Sequence, residues 1–150
     1  MNKEKVKQLA RDLRKTPPRS PRETLGSFVI AERSTRFYRD ILGGEVVLAG
    51  EPTFVALANT YIVLNVGGGP TDDKPNITLR PPTSSTEVSS FLNFRVSDIQ
   101  HYYQEWKGRG AEFLTEPKNH ENEFRCYMRD PDGYIIEVGE MKAEAFKDKA

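Results

Sequence analysis

Apolar residues near the start of the chain recur at the spacing of one helix face. They are Val6, Leu9, Ala10 and Leu13. This pattern predicts a short amphipathic helix over residues 3–15. Three prolines between residues 17 and 21 follow it, and proline can neither continue a helix nor sit at the centre of a sheet. We therefore expect residues 1–22 to be a helical extension with a proline-rich linker, separate from the domain that follows.

Beyond residue 22 the pattern changes to a strand, a helix and three short strands. The first strand is predicted at residues 25–31 and the helix at residues 32–42. Gly43 and Gly44 then end the helix, because glycine readily adopts the left-handed backbone of a helix C-terminus. The three strands that follow are predicted at residues 45–49, 53–58 and 61–66.

The same order of elements returns in the second half. An alternating strand is predicted at residues 90–96, and Asp98 then caps a helix that ends at Gly108 or Gly110. The last three strands are predicted at residues 111–115, 123–129 and 134–141, with an Asp-Pro-Asp-Gly turn joining the last two.

Both halves are thus βαβββ modules, which indicates an internal duplication. We predict an α+β fold in which the two modules form a curved eight-stranded mixed sheet around a cleft. This domain spans residues 23–142, and residues 143–150 form a polar tail. The intervening segment, residues 67–89, is rich in Gly, Pro and Thr, so it is predicted to be a linker or lid.

The balanced charge, 22 basic and 22 acidic residues, hides a division along the chain. Residues 1–22 carry eight basic and two acidic side chains, a net charge of +6, which leaves −6 on the remaining residues. Such a basic arm could contact nucleic acid or acidic lipid, dock a partner, or rest on its own acidic domain. We favour the last, because no aromatic residue interleaves the basic ones and the apolar face lacks Trp and Phe. No partner nucleic acid or membrane is therefore expected.

The scarcity of Cys and His limits the chemistry further. One Cys, Cys126, excludes an internal disulfide, and two His, His101 and His120, leave little for a His-rich metal site. No stretch approaches the ~20 apolar residues of a membrane span, so a soluble cytoplasmic protein is expected. Cys126 is interpreted as a buried small hydrophobe, His101 as exposed, and Trp106 as ordinary helix packing.

Three segments carry a family resemblance. They are FYRDILGG at residues 37–44, FRVSDI at residues 94–99 and DPDGYIIE at residues 130–137. With them, residues 25–141 resemble the vicinal oxygen chelate superfamily, which includes glyoxalase I, extradiol dioxygenases and the bleomycin- and fosfomycin-resistance proteins. The resemblance implies paired βαβββ modules, a homodimer, and a small molecule bound in the cleft.

The resemblance also implies a divalent metal held by His or Gln on the first strand, His on the strand that opens the second module, and Glu on the last strand. Glu137 matches that carboxylate, whereas the second His position falls on Phe91. The first-strand position falls on Glu23, or near Gly26 if two residues are missing, and a fourth position approximates to Asn65. No metal cofactor is therefore expected. The alternative is Mg, Mn, Fe, Ni or Zn on the oxygen-rich set Glu23, Asn65 and Glu137.

Period-two alternation groups the remaining cleft candidates. Phe91, Asn93 and Arg95 share one strand face, and Tyr61 shares another with Asn65. We predict an aromatic wall at Phe91, amide groups that bind the ligand, the acid Glu137 and an arginine for an anionic group.

The arginines have an alternative place, a solvated outer face on which they pair with surface acids. We favour that place for Arg125 and Arg129.

The sequence therefore predicts a metal-poor protein that sequesters or senses a small organic ligand, with Phe91, Asn93, Asn65, Arg95 and Tyr61 as the binding residues. The alternative is a divalent-metal-dependent lyase or dioxygenase of glyoxalase type, in which Glu137 is catalytic and binds the metal together with Glu23.

Overall fold

In the computed structural model, residues 32–146 are described. The predicted N-terminal helix, the predicted first strand and the two candidates Glu23 and Gly26 lie outside the described residues. The chain divides into two compact units, one ending at Arg80 and one beginning at Pro81.

The first unit contains a helix, α1, whose end was predicted from two glycines. Residues 32–36 are α-helical and continue into a wider π-helical turn, Phe37–Ile41. Gly43 adopts a φ of +81°, and the N–H of Gly44 donates to the carbonyl of Tyr38 at 2.9 Å. This bond spans the wide π-helical turn and, with the left-handed backbone at Gly43, ends the helix, so the predicted helix stop is confirmed.

Three antiparallel strands follow α1 in the order in which they occur along the chain. They are β1 (Glu45–Leu48), β2 (Thr53–Leu57) and β3 (Thr60–Leu64). A Cβ added at Gly44 would lie 2.5 Å from Val55 Cγ1, so only glycine lets the chain leaving α1 pass this close to β2. Val55, Phe37 and Tyr38 are buried and form part of the core of this unit.

The second unit is a five-stranded mixed sheet with one helix. The elements are β4 (Leu92–Arg95), α2 (Ile99–Gly108), β5 (Glu112–Phe113), β6 (Lys118–Asn119), β7 (Glu123–Arg129), β8 (Ile135–Met141) and a 3₁₀ turn (Ala143–Phe146). The strand order is β4-β8-β7-β5, with β6 also paired to β7. β4 runs parallel to β8, and the other pairs are antiparallel.

One face of this sheet is the core of the unit, and α2 packs against β8. On this face the sheet buries Cys126, Met128, Ile136 and Val138, and the helix buries Ile99, Tyr103 and Trp106. The Tyr103 ring also lies 4.7 Å from the ring of Phe113 in β5. The packing role predicted for Trp106 is confirmed.

Two local predictions in this unit are confirmed by their hydrogen bonds. The Asp98 carboxylate accepts from the backbone N–H of His101 at 2.9 Å, as an N-cap does. In the Asp-Pro-Asp-Gly turn, Asp130 Oδ1 accepts from the N–H groups of Asp132 and Tyr134, both at 2.9 Å.

The α+β class is confirmed, and every strand predicted within the described residues is present. Their ends differ from the predicted ones by at most two residues, and Glu123–Arg129 agrees at both ends. The two-residue strand β6 was not predicted. Residues 67–89 are mostly irregular, with isolated bridges between Gly68 and Leu79 and between Thr71 and Lys74. Within residues 32–146, no helix combines the length and apolarity that crossing a membrane requires.

Candidate functional site

Strand register gathers polar side chains on the face of the second sheet opposite α2. β8 aligns Glu137 with Asn93 of β4 and with Tyr127 of β7, and it aligns Gly139 with Arg95 and Arg125 in the same way. Directly paired residues project to the same side of a sheet. We call this surface the polar face. Its members are Asn93, Arg95, Glu123, Arg125, Tyr127 and Glu137.

The Glu137 carboxylate lies at the centre of the polar face and is only 5% exposed. Asn93 Nδ2 donates to Oε1, and the Tyr127 hydroxyl donates to Oε2 at 2.6 Å. Arg95 Nη2 lies 3.5 Å from Oε1. A buried charge is tolerated when it is paired and hydrogen-bonded in this way. The hydrogen bond to Glu137 raises the pKa of Tyr127, which keeps the phenol protonated as a donor.

Glu123 forms a second group of charges with two arginines. Its Oε2 accepts from Arg95 Nη1, and its Oε1 accepts from Arg125 Nη1 at 3.1 Å. The hydrogen bond from Arg95 is the main reason that the pKa of Glu123 is lowered, because it stabilises the ionised form. One carboxylate therefore joins two guanidinium groups across three strands.

Gly139 provides the space for this arrangement. A Cβ added at Gly139 would overlap Nη1 of Arg95 and lie 3.0 Å from its Cζ. The guanidinium of Arg95 thus lies directly over β8, where it reaches Glu123 on one side and Glu137 on the other. Any residue with a side chain at position 139 would compete for this space.

Aromatic rings adjoin the charged groups. Phe91, just before β4, is 52% exposed, and its ring lies edge-on to that of Tyr127 with centroids 6.2 Å apart. The Arg125 guanidinium carbon lies 5.8 Å from the centroid of the Tyr127 ring. The polar face therefore has an exposed aromatic edge next to its charges.

Four of the predicted site residues meet on the second sheet: Phe91, Asn93, Arg95 and Glu137. Two others belong to the first unit, where Tyr61 is a half-buried residue of β3 and Asn65 is exposed just beyond it. Their place in the site stays a prediction.

The expectation that Arg125 and Arg129 lie on a solvated outer face is wrong. Arg125 opposes Gly139 on the polar face and bonds Glu123 there. Arg129 lies four residues further along the same face, and its guanidinium donates to the Ser85 carbonyl at 2.5 Å. The reason is that Cys126 and Met128 on the other face of β7 are buried in the core, so both arginines project to the side that carries Glu137.

Tyr127 and Glu123 are site residues that sequence reasoning missed. The alternation Glu123, Arg125, Tyr127 was visible, but only the register with β8 connects it to Glu137.

The donor set around Glu137 does not suit a divalent metal. Both carboxylate oxygens already accept hydrogen bonds, and a guanidinium cation stands 3.5 Å away. The family resemblance implies that an imidazole ligand would stand where this chain has Phe91. Residues 32–146 contain no cluster of three or more His, Cys, Asp or Glu side chains that could hold a metal ion. Among these residues, the polar face is therefore built for hydrogen bonding and ion pairing.

The remaining reactive side chains lie elsewhere. Cys126 is 1% exposed on the core face, and burial raises the pKa of its thiol to about 11, which confirms its role as a small hydrophobe. The side chain of His101 is 62% exposed on α2, also as predicted.

This fold agrees with the comparisons with known proteins. The chain belongs to the Glyoxalase/Bleomycin resistance protein/Dioxygenase superfamily, whose family model matches residues 31–138. It is 28% identical over 109 residues to the metallothiol transferase FosB of Staphylococcus epidermidis, a match that covers 70% of each chain.

Two solved structures share the fold. One is a glyoxalase/bleomycin resistance protein/dioxygenase from Alicyclobacillus acidocaldarius, with a TM-score of 0.60, 14% identity, and coverage of 77% of this chain and 86% of that one. The other is TnmS3, an antibiotic binding protein from Streptomyces sp. CB03234, with a TM-score of 0.51, 23% identity, and coverage of 74% and 86%.

Proposed function

We propose that this protein binds a small organic ligand on the polar face without a metal ion, and so sequesters or senses that ligand. The observation that carries the proposal is the pairing of Glu137 with Asn93, Tyr127 and Arg95. A carboxylate whose two oxygens accept from protein donors orients those donors, and a metal ion would have to compete with them and with the nearby Arg95 cation.

The exposure of each side chain suggests its role. Glu137 is buried and acts as a positioning group, whereas Asn93 is exposed and the side chain of Arg95 is 47% exposed. Asn93 and Arg95 can therefore offer N–H groups to a ligand, and the exposed ring of Phe91 offers apolar contact. Tyr61 and Asn65 are proposed as further ligand contacts from the first unit.

A structural neighbour supports small-molecule binding as a use of this fold. TnmS3 is described as an antibiotic binding protein, and we extend that type of function, though not its ligand, to this chain.

The proposal is tested by a small-molecule screen that measures thermal shifts in the presence of EDTA. A ligand that binds only the native state at about 100 times its Kd should stabilise the protein by ~2.7 kcal/mol. We expect the shift to shrink in Asn93→Ala and Arg95→Gln, and to persist in Arg109→Gln, which removes an exposed arginine just after α2. A shift that is equal in all four proteins would place the ligand elsewhere and contradict the proposal.

The second candidate is a divalent-metal-dependent lyase or dioxygenase, with Glu137 as catalytic metal ligand and Glu23 as a second ligand. It is favoured by the similarity to FosB, which is named a metallothiol transferase. In that case, stabilisation by a screening hit would depend on Mg, Mn, Fe, Ni or Zn and would disappear with EDTA. Ligand stabilisation that survives EDTA would argue against it.

The superfamily resemblance also supports a homodimer that acts in the cytoplasm, and both are part of the proposal. Sedimentation velocity over a range of concentrations should give the mass of a dimer, and a constant monomer mass would contradict it.

A further inference from the structure

Two guanidinium groups on the polar face already hold one carboxylate. Glu123 gives one oxygen to Arg95 and the other to Arg125, so neither arginine forms a two-bond fork with it. A guanidinium carries five N–H donors, and each arginine therefore keeps donors that Glu123 does not use. The protein itself demonstrates that this position accepts a carboxylate.

Arg125 is incompletely satisfied in this arrangement. Within the described part of the chain, its Nε has neither solvent contact nor a hydrogen-bond acceptor. A buried donor without an acceptor is unfavourable, and a second carboxylate that pairs with Nε and a terminal nitrogen would relieve it. The Arg125 side chain is 32% exposed, so part of its guanidinium is open to an incoming carboxylate.

The exposure of the Arg95 and Glu123 side chains indicates the side from which a second carboxylate would approach. The Arg95 side chain is 47% exposed and that of Glu123 only 14%. An anion therefore meets the arginines first, while Glu123 sits beneath them and neutralises part of their charge. Lys118, paired with Arg125 across β6 and β7, adds another cation on the same face.

The aromatic rings define the rest of the ligand. The Tyr127 ring lies next to the Arg125 guanidinium, and the half-exposed Phe91 ring lies next to Tyr127. An aromatic group attached to the bound anion would reach Phe91, where edge-to-face contact is available.

From this geometry we propose that Arg95 and Arg125 form a receptor for the carboxylate of an aryl carboxylate, and that Glu123 occupies this receptor as an internal competitor. The inference rests on the proposed function, because it names the ligand class of the same face. Its distinctive consequence is that removal of an acidic residue strengthens the binding of an anion.

The test uses benzoate as the probe, with benzamide as its neutral counterpart and inorganic phosphate as the alternative oxyanion. Binding is measured by calorimetry on the full chain at constant ionic strength, since salt screens exposed charges. Relative to the unmodified protein, Glu123→Gln should bind benzoate about tenfold more tightly or better. Glu105→Gln, which removes the same charge from α2, should leave the affinity unchanged.

Further variants separate the receptor from a general charge effect. Arg95→Gln should weaken benzoate binding about tenfold, whereas Arg109→Gln should not change it. A second variant, Glu123→Asp, keeps the charge but shortens the side chain by one methylene group, so it should increase the benzoate affinity less than Glu123→Gln does. It also provides the test if Glu123→Gln does not fold.

Three results would overturn the inference. The first is that Glu123→Gln and Glu105→Gln bind benzoate with the same affinity. The second is that benzamide binds as tightly as benzoate, and the third is that phosphate does. Ligand hits that depend on Asn93 but include no carboxylate would leave the proposed function standing while this inference fails.

Discussion

Replacing Gly139 by Ala tests whether the Arg95 guanidinium really lies over β8. The added Cβ would overlap Nη1 of Arg95, so the guanidinium must move away from its contacts with Glu123 and Glu137. This change disturbs the polar face without removing one of its functional groups.

The loss of stability expected in Gly139→Ala can be worked out from the atoms that must move. Overpacking typically costs about 1–3 kcal/mol, and the lower end applies because the end of Arg95 is flexible and half exposed. Loss of a partly exposed ion pair adds at most ~1 kcal/mol. Alanine in place of glycine recovers ~0.5–1 kcal/mol of backbone entropy. The expected net loss in the free energy of unfolding is about 1 kcal/mol.

Urea unfolding of a double-mutant cycle measures this effect. In an Arg95→Ala background the overlapping atoms are absent, so Gly139→Ala should be neutral or stabilising by ~0.5 kcal/mol, giving a coupling energy of about 1–2 kcal/mol. The control is Gly108→Ala at the end of α2, where a Cβ meets no atom within 4 Å. A cost at Gly139 that is independent of Arg95 would refute the placement of the guanidinium.

Three further predictions concern other side chains. Arg95 lowers the pKa of Glu123 below its ordinary 4.5. The charge network therefore stabilises the folded protein above that pH, and this stabilisation is lost as the pH falls further. The difference in unfolding free energy between the unmodified protein and Glu123→Gln should shrink between neutrality and about pH 3. A difference that does not change with pH would contradict this sign. The thiol of Cys126 should react with a colorimetric thiol reagent only on unfolding, and rapid reaction of the native protein would disprove its burial. Asp98→Ala should lower the unfolding free energy by about 1 kcal/mol through loss of the cap on α2, and unchanged stability in urea would argue against that cap.

The fold was largely predictable because apolar alternation and turn chemistry act locally. Glu123–Arg129 alternates along its whole length and agreed at both ends. The strand predicted at residues 111–115 shrank to Glu112–Phe113, and Leu114 is 45% exposed despite its apolar side chain. β6 was missed because Lys118 and Asn119 carry no apolar signal; only pairing with β7 makes them a strand.

The candidate site was predictable only in part, since it depends on register between strands distant in sequence. Alternation alone showed that Arg125 and Tyr127 share a face, but not whether that face meets solvent or Glu137. The pairing of β7 with β8 decides this, together with α2, which covers the opposite side. The role of Gly139 also required the structure, because a glycine in a strand gives no hint that an arginine from another strand lies over it.

The most direct test of the central claim is the metal content of protein purified without a chelator or an affinity tag. Elemental mass spectrometry measures it for the unmodified chain and for Glu137→Gln. We predict far less than stoichiometric metal in both, with no difference between them, because Glu137 already pairs with Asn93, Tyr127 and Arg95. Stoichiometric metal that disappears in Glu137→Gln would contradict the account and establish the metal-dependent alternative.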